Sequence, residues 1–148
     1  MIEIYTDGSC STNGTWCGGW GVVIGELEFG GYAPNTTNNR MEMTAMLKAL
    51  EWCEENEQKA IIYTDSTYVQ KALTQWCKKW CKDDFKRDIK NKDLWKVLYP
   101  LYLRSDCEVR WCKGHSGNEG NDKADKLAVH CMKNKEGYYG KSMGCARS

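Results

Sequence analysis

Two runs of this chain each deliver an aspartate at what reads as the end of a β-strand. In Ile2-Glu3-Ile4-Tyr5-Thr6-Asp7-Gly8-Ser9, the residues Ile2, Ile4 and Thr6 alternate with Glu3, Tyr5 and Asp7. That is strand periodicity, and the turn dipeptide Asp7-Gly8 predicts where the strand stops. The run Ala60-Ile61-Ile62-Tyr63-Thr64-Asp65-Ser66 repeats the pattern of Thr-Asp followed by a small residue. It is apolar on both faces, as expected of an interior strand covered on both sides. Two such strands side by side would place a carboxylate pair at one end of a sheet. Helical spacing from Glu42 meets Ala45, Met46, Ala49, Leu50 and Cys53, and from Asp125 it meets Ala128, Val129 and Met132. Both acids therefore head an apolar stripe that must face the sheet. Three of them also have a plain structural reading: an Asp-Gly turn for Asp7, a capping box with Asn39 for Glu42 and an N-cap for Asp65.

Four carboxylates converging in an interior repel one another and resist ionisation, so a positive partner is required. Hard divalent cations meet that need, because Mg²⁺ takes oxygen ligands and shares its site with substrate phosphates. Two such ions about 4 Å apart can clamp a phosphodiester, activating water on one side and stabilising the leaving oxygen on the other. His115 lies in the Gly-rich loop Lys113-Gly114-His115-Ser116-Gly117. An imidazole there could move a proton near neutral pH. His130, inside a helical segment, does not fit that description.

The elements that must position these groups follow from the pattern. Gly18 to Ile24 and Leu27 to Tyr32 read as second and third strands, and the short connections imply an antiparallel meander. A polar loop, 34–39, precedes a helix from Arg40 to Glu54 with Asn39 as its cap. Tyr68 to Trp76 reads as a helix started by Asp65 or Ser66, and Asp93 to Leu103 as another started by Asn91 or Asp93. Cys107 to Trp111 alternates as a fifth strand, and Asn121 to Met132 is the last helix. Between Trp76 and Trp95 the chain is rich in Trp and Lys, interrupted by Asp83, Asp84 and Asp88. One domain over 1–135 and a flexible C-terminal tail over 136–148 are expected.

Composition sets the outer bounds. A chain of 148 residues with 41% hydrophobic residues, seven Trp and only two Pro is globular, and its length suits one domain. Net charge is +1, so any basic surface must be local. The sequence predicts no signal peptide and no membrane span. Nine cysteines are present, none in Cys-x-x-Cys spacing, which reads as reduced thiols in a reducing, cytoplasmic setting.

At this point the residues carry a resemblance. Tyr5-Thr-Asp-Gly-Ser9, Thr37-Asn-Asn-Arg-Met-Glu42, Thr64-Asp-Ser66, Trp111-x-Lys-Gly-His115 and Asn121-x-x-x-Asp125, in this order, resemble type 1 ribonuclease H. The resemblance covers residues 2 to about 132. It implies an α/β, ribonuclease H-like fold: a five-stranded mixed sheet, antiparallel at strands 1–3, flanked by helices. It implies hydrolysis of the RNA strand of an RNA–DNA hybrid by a monomer with two Mg²⁺ ions, or Mn²⁺ in their place, leaving 5′-phosphate and 3′-hydroxyl ends. By position it assigns metal binding to Asp7, Glu42, Asp65 and Asp125, and proton transfer or product release to His115. It assigns reading of the minor groove and the RNA 2′-hydroxyl to Asn13, Asn38 and Asn39, and a DNA-strand phosphate pocket to Thr37 and Asn91. A basic protrusion gripping the DNA strand falls on Trp76, Lys78, Lys79, Trp80, Lys82, Lys86 and Arg87. This chain departs from the family pattern at Asn35, where many members place arginine, at Thr67, where glutamine is common, and in the acids that interrupt the protrusion. A non-cleaving hybrid-binding module and a thiol or zinc protein are the alternatives from other classes.

Overall fold

A computed structural model describes residues 1–11, 16–114 and 117–141. Strand β1 spans Ile2–Cys10, so the chain runs straight through Asp7-Gly8 instead of turning there. Gly8 serves a different purpose from a turn. A Cβ at this position would collide with the backbone of Met41 and Glu42, so only glycine lets the next helix approach β1 this closely.

Around β1 the described residues form one mixed sheet. Strands β2 (Gly18–Ile24), β3 (Leu27–Ala33), β4 (Ala60–Thr64), β5 (Glu108–Trp111) and β6 (Tyr138–Lys141) complete it in the spatial order β5-β4-β1-β2-β3-β6. β1 pairs parallel with β4 and antiparallel with β2; β4–β5 is parallel, and β2–β3 and β3–β6 are antiparallel. Antiparallel pairing at strands 1–3 is as expected, but the sheet has six strands, not five. The sixth lies inside the segment expected to be a flexible tail. Four residues containing a glycine are too short to register as a period in the sequence.

Helix α1 (Asn38–Glu55) packs on the Gly8 face of the sheet. Its inner side, with Met43, Met46 and Leu50 fully buried, forms one core with Ile4, Ile62, Leu73, Trp95 and Leu98. Helix α2 (Thr67–Lys71), a π-helical turn (Ala72–Trp76), α3 (Cys77–Trp80) and a 3₁₀ turn (Cys81–Asp83) follow β4 as one run, then α4 (Lys92–Ser105). Helix α5 (Glu119–Asn134) covers the opposite face, over β1, β2 and β3. It sits so low on β2 that a Cβ at Gly19 would collide with Ala128 of α5. No helix among the described residues is long and apolar enough to cross a membrane.

Local caps differ from the sequence reading. α1 starts two residues earlier than expected: Thr37, not Asn39, is its N-cap, accepting from the Arg40 amide at 3.2 Å. Glu42 therefore has no capping role. Ser66, not Asp65, caps α2 by accepting from the Val69 amide at 3.1 Å. Asn91 precedes α4 in a left-handed conformation with no side-chain cap bond.

Candidate active site

The three local explanations that competed for Asp7, Glu42 and Asp65 all fail in the structure, and the three side chains meet. Asp7 comes from the middle of β1, Glu42 from the first turn and a half of α1, and Asp65 from the residue after β4. A carboxylate oxygen from each lies within 4.8 Å of the other two. Parallel pairing of β1 with β4 brings Asp7 and Asp65 to the same sheet end, and the space left by Gly8 brings in Glu42.

Electrostatically the group is strained. Asp7 is 3% exposed and Glu42 5% exposed. Burial, and then the charge of Asp65, push the Asp7 carboxyl from 3.8 up to about 8, although hydrogen bonds with Glu42 and the Gly8 amide pull the other way. The Gly8 amide donates to Asp7 Oδ1 at 2.9 Å. Glu42 is raised well above its ordinary value, first by burial and then by Asp7. Glu42 Oε1 and Asp65 Oδ1 are buried and, among the described residues, accept no hydrogen bond. Buried carboxylate oxygens without partners cost stability unless something positive fills the space between them. A hard cation fits this donor set, which is all oxygen and anionic.

Asp125, half-buried on α5, adds its charge to the environment of Asp7 but stands outside the three-carboxylate group. His115 and Asn13 lie outside the described residues. Around Asp65 the structure adds three contacts. The Trp111 indole Nε1 donates to the Asp65 carbonyl at 3.0 Å, and the Cys112 amide donates to the Thr64 carbonyl at 2.9 Å. A Cβ on Gly114 would fall 2.7 Å from Asp65 Oδ2. The Cys112 thiol is pushed up to about 11 by burial and by the Asp65 and Asp7 charges.

A second set of residues lies along α1, α2 and α4. Arg40 makes a two-pronged ion pair with Asp93, at 3.0 and 2.8 Å, and also donates to Asn91 Oδ1 at 3.3 Å. The Asn91 amide and the Trp95 indole both donate to the Tyr68 hydroxyl, at 3.2 and 3.1 Å. Trp76 and Trp80 stack into the same cluster, 6.0 Å apart, with Trp80 6.3 Å from Trp95. The helical run carries Lys78, Lys79 and Lys82 exposed on its outer side, and among the described residues none of the three is in an ion pair. Arg87 is tied to Asp83 at 3.1 Å, so that acid does dilute the basic surface.

Trp111, Arg40 and Tyr68 were missed as positioning groups by sequence reasoning. For Arg40 the signal was its place inside the Thr37–Glu42 run and for Trp111 its place at the head of the Trp111–His115 run; for Tyr68 no local pattern marks a side chain whose partner is distant in sequence.

The RNase H family model matches residues 1–133. Ribonuclease H of Orientia tsutsugamushi is 45% identical over 137 residues, covering 87% of this chain and 80% of that protein. Ribonuclease H of Alcanivorax borkumensis is 43% identical over 147 residues, covering 92% and 96%. Among solved structures, LC9-RNase H1, a type 1 RNase H with the type 2 active-site motif, superimposes with a TM-score of 0.86 at 26% identity, covering 99% of this chain and 81% of that one. A foamy viral protease–reverse transcriptase solved with an RNA/DNA hybrid shares the fold, with a TM-score of 0.78 at 22% identity over 90% of this chain and 20% of that one. On the family match, on relatives this similar over most of their length and on the carboxylate constellation, the chain belongs to the RNase H family.

Proposed function

We infer that the chain is a ribonuclease H, an endonuclease that hydrolyses the RNA strand of RNA–DNA hybrids and leaves 5′-phosphate and 3′-hydroxyl ends. The observation that carries this reading is the meeting of Asp7, Glu42 and Asp65, two of whose buried oxygens have no hydrogen-bond partner among the described residues. The catalytic unit is assigned to residues 1–135, acting as a monomer in the cytoplasm.

Asp7, Glu42, Asp65 and Asp125 are the residues that would hold Mg²⁺, two ions when substrate is present, with Mn²⁺ as a substitute. When bound, these ions supply Lewis-acid activation of water and neutralise charge at the leaving oxygen. The chain supplies the rest. Burial and the neighbouring carboxylates raise the Asp7 carboxyl to about 8, so metal binding at neutral pH would displace a proton from the carboxylate group. Trp111 and Cys112 fix the backbone on either side of the Asp65 carboxylate. His115 is assigned the uptake or return of a proton. Asn13, Asn38 and Asn39 read the minor groove, where the 2′-hydroxyl separates RNA from DNA. Thr37 and Asn91 hold a phosphate of the DNA strand, with Arg40 orienting Asn91. Trp76, Lys78, Lys79, Trp80 and Lys82 grip that strand further out, the lysines by charge and the indoles as packing planes.

The test is cleavage of a labelled RNA–DNA hybrid with and without Mg²⁺, beside matched RNA–RNA and DNA–DNA duplexes. Mg²⁺-dependent cutting of the hybrid's RNA strand alone is the expected result. Binding without cutting would make the chain a silent hybrid-binding module and overturn the reading.

A further inference from the structure

The connection between β1 and β2 carries a side chain that none of the groups above uses. Trp16 is 61% exposed, and its backbone is in the left-handed region, at φ 52°. A bulky residue is unfavourable there and persists only where its surroundings hold it. The hold is visible. The Thr36 amide donates to the Trp16 carbonyl at 2.7 Å, and the Ser11 amide donates to the carbonyl of the next residue, Cys17, at 2.7 Å. The indole is thus presented from a backbone fastened on one side to the base of β1 and on the other to the segment entering α1 at Thr37.

Its place in the fold gives this presentation a meaning. β1 runs from Asp7 on to Cys10, and Cys10 pairs with Gly18 of β2, so residue 16 lies beyond the same sheet end that carries the acids. Residue 16 lies two residues before Gly18 and so is level with a position five residues beyond Asp7, about 17 Å along the strand, or about five nucleotides at ~3.4 Å per nucleotide. Thr36 links Trp16 to the loop that supplies Thr37, Asn38 and Asn39. The other large exposed apolar side chains among the described residues are placed or used differently: Met1 precedes β1 at the sheet end away from the acids, Val97 and Leu103 lie on α4, Tyr139 on the β6 edge, and Trp111 spends its N–H on Asp65.

We propose that Trp16 is a substrate-binding residue, its indole packing against a sugar of the hybrid about five nucleotides from the scissile phosphate. An indole face is suited to this because it offers a large, rigid, apolar plane at little conformational cost and tolerates any sequence. Trp16 supplies grip away from the reacting atoms, so it contributes to KM and not to the chemical step.

The proposal rests on the ribonuclease H reading, and the experiment keeps the two apart. Wild-type protein, Trp16→Ala and Trp16→Tyr are assayed on a long hybrid with one cleavable ribonucleotide stretch, and on two shorter hybrids, each trimmed to two base pairs on one side of the cut. Binding is measured in parallel without divalent metal, so a protein that does not cut still reports on Trp16. With Trp16→Ala, KM and Kd on the long hybrid are expected to rise about five- to tenfold, with kcat within about twofold and Tm unchanged. Trp16→Tyr restores most of the loss, and the difference between wild type and Trp16→Ala disappears on one of the two trimmed hybrids. An unchanged KM and Kd, a loss that tyrosine does not rescue, or a defect equal on both trimmed hybrids would overturn the proposal. Failure of the wild type to cut any hybrid would instead count against the parent reading.

Discussion

Replacing Asp7 with Asn should destroy cleavage and, in the metal-free protein, increase stability. Asp7 has an ordinary pKa of 3.8 in the unfolded chain and is raised to about 8 in the fold. A carboxyl raised in the folded state favours folding least where the unfolded chain is ionised and the fold must either hold a proton or bury the charge. Its contribution is therefore most favourable below pH 3.8 and is lost progressively as pH rises from there to about 8. Each pH unit in that window is worth about 1.4 kcal/mol, so Asp7 costs the apo fold about 4 kcal/mol at pH 7. Asparagine removes the charge and keeps a side-chain carbonyl for the Gly8 amide, but leaves Glu42 and Asp65 facing each other. Roughly half of the cost, about 2 kcal/mol, is expected back, equivalent to a Tm increase of about 4–8 °C for a chain of this size. The assay is thermal unfolding of both proteins in EDTA at pH 4, 6 and 8. The gain should be near zero at pH 4 and largest at pH 8, and Mg²⁺ should raise the Tm of wild type more than that of the variant. An equal or lower Tm for Asp7→Asn at pH 8, or a gain of the same size at pH 4, would refute the account of a strained carboxylate cluster.

Three further outcomes are expected. Trp111→Phe keeps the ring and removes the N–H held on the Asp65 carbonyl; kcat should fall about fivefold, in line with one hydrogen bond of about 1 kcal/mol, with Tm within about 2 °C and KM unchanged. Changing Lys78, Lys79 and Lys82 together to Ala should raise KM and reduce the slope of log KM against log salt by about 2–3, with kcat little affected; an unchanged slope removes the protrusion from the binding surface. Gly8→Ala should destabilise the fold by about 2 kcal/mol or more in denaturant unfolding, because the added methyl meets backbone and not a flexible side chain; a smaller loss would mean that α1 can shift outward without cost.

Much of the site was legible in the sequence because its residues contradict their local context. Glu42 at the head of an apolar helical stripe and Asp65 after an interior strand are out of place for isolated segments, and the fold explains both by bringing them together. What the sequence concealed has a common physical origin. Asp7-Gly8 reads as a turn because nothing local reveals that a helix some 30 residues later needs the room. Thr37 and Asn39 are both good caps, and the choice depends on where the chain enters α1. The π turn at Ala72–Trp76, whose Trp76 packs against Tyr68 at 6.0 Å, has no sequence signature. Strand β6 exists only because β3 offers an open edge.

That edge has a consequence for how copies of the chain coexist. An unpaired strand is a template for another molecule. β3 is covered by β6, with Tyr139 against Phe29 at 6.2 Å, yet four residues make a slight cover. Glu28 stands on β3 opposite Gly140 of β6, 1% exposed, its Oε2 without a hydrogen-bond partner among the described residues. Were β6 to peel away, Glu28 would be free to hydrate, and a second molecule docking on the bared strand would have to bury that charge again. A buried acid at this edge would thus make addition of a second molecule's strand to a bared β3 unfavourable.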